Sequence, residues 1–327
     1  MKALNQALNE ISSSSNGPEA IRQFAYYGMS DSQKAQYVAE GFEAYQGKVR
    51  ELLKKDETLY IFHTDRLTAF DKYIGMVPFK GAILSEISRF WLQNVADIAP
   101  THLEAVINER VLKVKACEPV KAEVIVRGYM AGSMQRAYQK GIREFCGCTL
   151  PDGLQDYQQL PEPIITPTTK AAAFEHDEDA SPEELVAQGV CTADEWQQIS
   201  ELAFKLFARG QEVYGEKGWI LVDTKYEFGR DKNGKIIVID EIHTPDSSRL
   251  WVKASYEARV KAGEAPEMLD KENVRRFLIS KGFSGEGSVP EVPADVLVSL
   301  AQVYLRVAET LKGEQLQISL SPDHITI

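Results

Sequence analysis

Apolar residues recur at helical spacing along several long stretches of the chain and alternate or cluster in shorter ones. From about Ala82 to Ile98, the residues Ile83, Ile87, Phe90, Trp91, Asn94 and Val95 fall near a helical period, which predicts one helix. Two capping boxes, Ser181 with Glu184 and Thr192 with Glu195, predict further helix starts. The second of these helices places Trp196, Ile199, Leu202, Ala203, Leu206 and Phe207 on one face, a stripe that reads as core. Pro293 opens another run, with Val296, Leu297, Leu300, Val303, Tyr304 and Val307 on one side. Short apolar runs predict strands at Leu59–His63, Val111–Val114, Val124–Val126 and Val49–Leu53. Residues 1–40 read as a helical extension broken at Ser12–Ser15, Asn16, Gly17 and Pro18. Residues 151–180 read as a long loop, and loops of that length usually carry function.

The most informative pattern is a predicted hairpin. Trp219 to Val222 and the β-branched run Ile236 to Ile239 flank Asn233-Gly234, a dipeptide favoured in tight hairpin turns. With Asn233-Gly234 as a two-residue loop, Lys232 pairs with Lys235, and Glu227 then falls directly opposite Asp240. Cross-strand neighbours have Cβ atoms only ~4.5–5.5 Å apart, and like charges there repel. Two such carboxylates call for a cation, and a hard divalent ion such as Mg²⁺ suits their oxygens. Alternation puts Asp223 and Lys225 on the face of Glu227. A three-residue loop would break this register, and acids on a strand can simply face water. The apolar flanks argue for charges set inside a buried sheet.

Composition changes the picture only in what it excludes. The 327 residues are enough for about two domains, and 44% hydrophobic with 26% charged content is ordinary for a globular protein. A net charge of −11 argues against a nucleic-acid-binding face, which needs a basic stripe. Cys117, Cys146, Cys148 and Cys191 contain no CxxC pair, so reduced structural thiols are expected. The N-terminus lacks the apolar run of a signal peptide and no stretch is apolar enough to span a membrane, so the expectation is a cytoplasmic protein. The chain divides into a helical extension (1–40), an α+β lobe (41–119), a second α+β lobe (120–268) entered at Pro119, and a helical tail (269–327).

Several further motifs carry candidate chemistry. Gly47-Lys48 precedes the predicted strand holding Arg50, so the backbone could approach a phosphate with two cations beside it. The spacing is not that of a Walker A loop. Arg127 ends an apolar strand, and Gly128 to Ser133 leads into a helix, whose N-terminus would favour an anion; Ser133 is also a plain N-cap candidate. Asp246-Ser247-Ser248 reads as a helix start; Asp246 as its cap is the structural reading, and Arg249 nearby as a phosphate fork is the functional one. Asp71 closes a turn, His176 lies in a polar loop, and His63, His102 and His243 read as structural. No Ser-His-Asp or Cys-His set is evident.

Leu221 to Gly229 and Glu123 to Ser133 resemble the two signature motifs of the phosphoribosylaminoimidazole-succinocarboxamide synthase (SAICAR synthetase) family of purine biosynthesis. Gly47-Lys48-Val49-Arg50 is similar to that family's phosphate loop, and Thr64 to Asp71 to its first substrate loop. Thr166 to Lys170 with Glu175-His176-Asp177, and Thr244 to Trp251, resemble two further blocks, all in the family's order. Gln46 stands where an Arg is common, and Arg50 where many members have Lys. The resemblance implies an α+β, two-lobed fold: a small, mainly antiparallel N-terminal lobe, a larger α+β lobe, nucleotide between them and a helical C-terminus. It implies an ATP- and Mg²⁺-dependent ligase that joins carboxyaminoimidazole ribotide (CAIR) to L-aspartate through an acyl phosphate. It further implies that Gly47, Lys48, Arg50, Glu123 and Lys225 contact ATP and that Glu227 and Asp240 hold the metal, these two acting with Lys225 in catalysis. Asp71, Arg127, Ser133, Lys170, His176, Asp177, Asp246 and Arg249 would contact substrate. Other readings are a kinase-type phosphotransferase, a different ATP-dependent carboxylate–amine ligase, and a non-catalytic nucleotide-binding module. Oligomeric state is not legible.

Overall fold

The computed structural model describes residues 4–170, 177–321 and 325–327. The chain forms two compact units, one of residues 1–90, 103–116 and 270–327 and the other of residues 91–102 and 117–269. The division differs from the four segments read along the sequence, because both helical ends pack into the first unit rather than standing apart. Among the described residues no helix is long and apolar enough to cross a membrane, and all four cysteines are free thiols.

In the first unit a five-stranded antiparallel sheet runs in the order Glu43–Gln46, Arg50–Lys55, Thr58–His63, Val111–Lys115, Leu103–Asn108. Leu53, Phe62 and Val111 cluster with Tyr26, Met29, Tyr37 and the C-terminal Ile325, while Ile61, Leu112 and Val114 form a second cluster. Strand alternation produces this split, since neighbouring side chains point to opposite faces. Helices Leu4–Ser12 and Gly17–Phe24 pack on the long helix Ala294–Lys312, which buries Leu297, Leu300, Tyr304 and Val307 of the expected stripe but leaves Val296 and Val303 half-buried. Beneath the sheet lies a fully buried pair: Arg110 reaches Asp65 through two bonds of 2.8 and 3.1 Å. The remaining lone pairs of Asp65 accept from the amides of Tyr26 and Gly81, both at 2.7 Å. A buried ion pair is tolerable only when its leftover bonding capacity is met in this way.

The second unit is built on one long strand, Trp219–Arg230. Ala122–Tyr129 pairs along it on one side, and Ser248–Val252 and then Ile236–Ile239 pair along the other. Helix Ala193–Glu216 covers one face of this sheet, and its expected capping box at Thr192 and Glu195 is present. Within the stretch expected to be a loop at 151–180, Gln159–Ile165 and Thr168–Thr169 instead extend the sheet against Ala122–Tyr129. Pro161 and Pro163 explain why it does not read as a strand: proline offers no N–H, and the pairing register shifts between Gln159 and Ile164.

Candidate active site

The central strand carries two alternations joined by a defect. Register slips between Leu221 and Asp223 where the strand meets Ser248–Val252. Leu221 packs toward Gly210 of the covering helix, and so does His243, against which Tyr226 lies. Past the slip, Asp223, Lys225 and Glu227 therefore share the face away from that helix. A bulge of this kind re-aims side chains and is common beside active sites. Glu123 and Arg127, four apart on the neighbouring strand, sit on the same face, with Asp223 in register with Arg127.

At one end of this face, Lys225 is the hub. Its ammonium hydrogen-bonds Glu227 and lies 3.3 Å from both Glu123 and Asp240. Lys170 also hydrogen-bonds Glu227. Glu227 is only 5% exposed. Burial alone would raise its pKa, but Lys225 and Lys170 outweigh that and bring it down to about 2, so the carboxylate stays ionised. Burial would lower Lys225, yet Glu227 and Glu123 together push it well above the usual lysine range.

The expected pairing of Glu227 with Asp240 is not formed. Glu227 is in register with Ile239, one residue short. The cause is the turn. Asp231 accepts the amides of Asn233 at 2.8 Å and Lys235 at 2.9 Å on one carboxylate oxygen, and its own amide donates to Lys235 at 3.0 Å. This closes a three-residue loop with Gly234 left-handed at φ +77°, the alternative hairpin form. Asp240 leaves the strand with φ +63°, and its carboxylate still reaches Lys225. The two acids thus meet through a shared ammonium rather than face to face.

At the other end, Asp223 lies between two guanidiniums, 2.8 Å from Arg249 and 3.5 Å from Arg127. Arg127 also donates to Thr166 at 2.8 Å and Ser133 at 3.0 Å, and its plane lies over the Phe145 ring. Burial lowers the pKa of Arg127, with Asp223 opposing. Two guanidiniums brought to one carboxylate present the planar forks that bind carboxylate or phosphate oxygens. Gly132 permits this packing: it is left-handed at φ +65°, and a Cβ there would sit 2.6 Å from Arg249 Nη1. Two local expectations are corrected. Ser133 is not the N-cap of Gly132–Gln139; Ala131 is, and the Ser133 hydroxyl serves Arg127. Arg249 lies on strand Ser248–Val252, not at a helix start, because pairing with the central strand overrides the cap-like Asp246-Ser247-Ser248, whose residues make a turn closed from Ser247 to Thr244.

The first unit holds Gly47, Lys48, Arg50 and Asp71. Gly47 and Lys48 follow strand Glu43–Gln46, and Lys48 lies in the bend before Arg50. Lys48 pairs with Asp71 at 2.7 Å. Both are substantially exposed, so the pair adds little stability. Phe70 and Asp71 are both left-handed, forming the tight turn between the paired residues Ala69 and Lys72. Asp177 is exposed and Asp246 half-buried, while His176 lies outside the described residues. Among the described residues no three or more His, Cys, Asp or Glu side chains converge as a metal cage.

Reasoning from the sequence did not assign roles to Arg66, Asp223 or Thr168. Thr168 keeps a buried hydroxyl with no hydrogen-bond partner among the described residues, beside Glu123 in register. Asp223 was readable from alternation alone; Arg66 works through contacts, and Thr168 through a register position, that only the fold creates.

Known proteins resemble this chain along most of its length. The profile of the SAICAR synthetase family matches residues 43–291. A phosphoribosylaminoimidazole-succinocarboxamide synthase of Legionella pneumophila (strain Paris) is 44% identical over 283 residues, 85% of this chain and 90% of that protein. One from Bacteroides fragilis (strain YCH46) is 44% identical over 275 residues, 83% and 87% of the two chains. Among solved structures, SAICAR-synthase from Saccharomyces cerevisiae complexed with SAICAR superposes with a TM-score of 0.72 at 32% identity, covering 85% of this chain and 97% of that one. A SAICAR synthetase in complex with ADP superposes with a TM-score of 0.66 at 27% identity, covering 84% of this chain and 100% of that one. With its signature segments folded into one charged sheet face and most of its length matched, this chain belongs to the SAICAR synthetase family.

Proposed function

We propose that the protein joins the carboxylate of CAIR to the amine of L-aspartate at the expense of ATP, giving SAICAR, ADP and phosphate. The observation that carries the reading is the divided sheet face: carboxylates around Lys225 at one end, two guanidiniums around Asp223 at the other. A carboxylate is a poor electrophile because amide formation would have to expel oxide. In the proposed reaction a CAIR carboxylate oxygen attacks the γ-phosphorus of ATP, and ADP departs with the bonding pair. The aspartate amine then attacks the acyl carbon, loses a proton, and phosphate leaves. Such transfers need positioning and charge neutralisation more than covalent help from side chains.

The residues divide these tasks. Arg127 and Arg249 hold the substrate carboxylate or phosphate, with Ser133 and Thr166 fixing the Arg127 plane. Lys225 neutralises the transferring phosphoryl group, and Gly47, Lys48, Arg50 and Glu123 contact ATP. Lys170, His176, Asp177, Asp246 and Asp71 complete the substrate contacts. The donor set also fits Mg²⁺, which typically takes one or two carboxylates plus phosphate oxygens rather than an all-protein cage. Glu227 and Asp240 would hold it, since Glu227 is kept ionised and both offer hard oxygens. When bound, the ion would polarise the phosphates and offset their charge.

The test is ADP formation with CAIR, L-aspartate and ATP omitted in turn. The reading expects ADP release only when all three are present at steady state. Steady release without L-aspartate would instead mark a phosphotransferase, and ATP binding without turnover a binding module.

A further inference from the structure

Arg66 is half-buried, and the candidate reaction gives it no role. Its guanidinium reaches three carbonyls of one short loop: Nε donates to Lys48 at 3.1 Å, and Nη2 donates to Gly47 at 3.2 Å and Arg50 at 3.3 Å. The carbonyl between them, Val49, accepts from the Thr64 hydroxyl at 2.6 Å. All four carbonyls of Gly47 to Arg50 are thus drawn toward the pair Thr64 and Arg66. A trans peptide sets its N–H opposite its C=O, so the amides of Lys48, Val49 and Arg50 are turned to the other side of the loop. Outward-turned amides flanked by Lys48 and Arg50 are what an anionic phosphate chain would meet.

The same guanidinium ties this loop to a segment outside the family-matched region. Nη1 donates to the Tyr27 carbonyl at 2.5 Å and lies 3.2 Å from Glu51. Glu51 is buried and accepts the amide of Met29 at 2.7 Å. Gly28 lies between them at φ +129°, where an added Cβ would stand 2.3 Å from a Glu51 oxygen. The chain after the second helix is therefore strapped behind the loop, with Arg66 as the fastening.

We propose that Arg66 is the positioning residue of the phosphate loop: it touches no substrate but sets the backbone that does, backed by the strap Tyr27–Met29. The inference rests on reading Gly47–Arg50 as the nucleotide phosphate loop, so Lys48→Ala serves as the separate test of that reading. The experiment measures ADP affinity and the KM values for ATP and L-aspartate in the full chain, with Arg66→Ala, Arg66→Lys and Lys48→Ala. Misplacing the loop should weaken ADP binding and raise the KM for ATP roughly ten- to a hundred-fold. The KM for L-aspartate should stay within about twofold, a split that simple loss of folded enzyme would not produce. Arg66→Lys keeps the charge but loses the fork, so it should be impaired nearly as much as Arg66→Ala. Wild-type ADP affinity in Arg66→Lys, or equal changes in both KM values, would overturn the proposal. Unchanged ADP affinity in Lys48→Ala would instead sink the phosphate-loop reading beneath it.

Discussion

Replacing Glu227 by Gln tests the charged hub with the least change of shape. Around the hub, the carboxylates of Glu123, Glu227 and Asp240 face the ammoniums of Lys170 and Lys225. The substitution removes one negative charge and two charge-assisted hydrogen bonds. Breaking a buried ion pair outright costs about 3–5 kcal/mol, but that is the cost of a stranded charge. Lys225 keeps two carboxylates at 3.3 Å, and Lys170, with its side chain 39% exposed, can turn to water. The stability loss should therefore be nearer ~1.5–3 kcal/mol, the scale of one charged hydrogen bond. Catalysis should suffer far more, because preorganised electrostatic groups in such sites are worth roughly 10²–10³ in rate each. A coupled assay for ADP, run against a Mg²⁺ titration, would read the effect, with circular dichroism and thermal melts confirming an intact fold. The expected result is a fall in kcat of at least about a hundredfold with near-wild-type secondary structure. Activity within about threefold of wild type would refute the assignment, as would a loss that merely follows the unfolded fraction.

Two further predictions concern the scaffold behind this face. Burial alone brings the pKa of His243 down to about 3, and burial first among several causes holds His63 well below its usual value, so both fold as neutral rings. For a base depressed in the folded state, stability is complete above the unfolded pKa and is lost as pH falls below it. Urea midpoints should thus drop between about pH 6.5 and 5, before carboxylates titrate, by up to about 1.4 kcal/mol per pH unit for each ring. A flat profile across that window would contradict neutral burial. In Gly210→Ala the new methyl would sit 2.5 Å from Leu221 Cδ2 and 2.8 Å from His243 Cε1. Overpacking at this helix–strand contact should cost ~1–3 kcal/mol in chemical denaturation, and wild-type stability would show that the helix can shift at no cost.

The legible parts of this chain were those governed by periodicity. Alternation placed Asp223, Lys225 and Glu227 together, and the capping box at Thr192 located the start of the long helix. Register was lost by one residue because hairpin length depended on Asp231 capturing two amides, a side-chain event that Asn233-Gly234 alone does not announce. Arg249 was placed on the wrong element because Asp246-Ser247-Ser248 has cap chemistry, while strand pairing is decided by distant partners. Arg66 stayed silent for a deeper reason. A motif reads chemistry from side chains, whereas Arg66 works on the backbone carbonyls of residues far away in sequence.

The two ends of the sheet face differ in sign, and on the proposed reading that difference sets the geometry of the reaction. The acidic end carries more carboxylates than ammoniums, so a nucleotide polyphosphate must arrive with cations of its own or draw Lys170 and Lys225 away from Glu227. The basic end, with Asp223 shared by Arg127 and Arg249, is on that reading the end that takes the substrate anion. Successive same-face residues on a strand are about 6.6 Å apart. Asp223 and Glu227 are then about 13 Å apart along the strand, too far for groups bound at each end to react directly. Substrate carboxylate and γ-phosphate must therefore meet between them, near Lys225, which starts midway between the two acids on the strand and turns its ammonium toward the Glu227 end. Its ammonium is held charged by Glu227 and Glu123 before any phosphate arrives. Lys225→Met should then depress kcat while leaving ADP affinity and the binding of CAIR within a few-fold of wild type, as stopped-flow ADP release and equilibrium binding would show. A variant that lost ADP affinity but kept kcat would place the transferred phosphoryl group elsewhere.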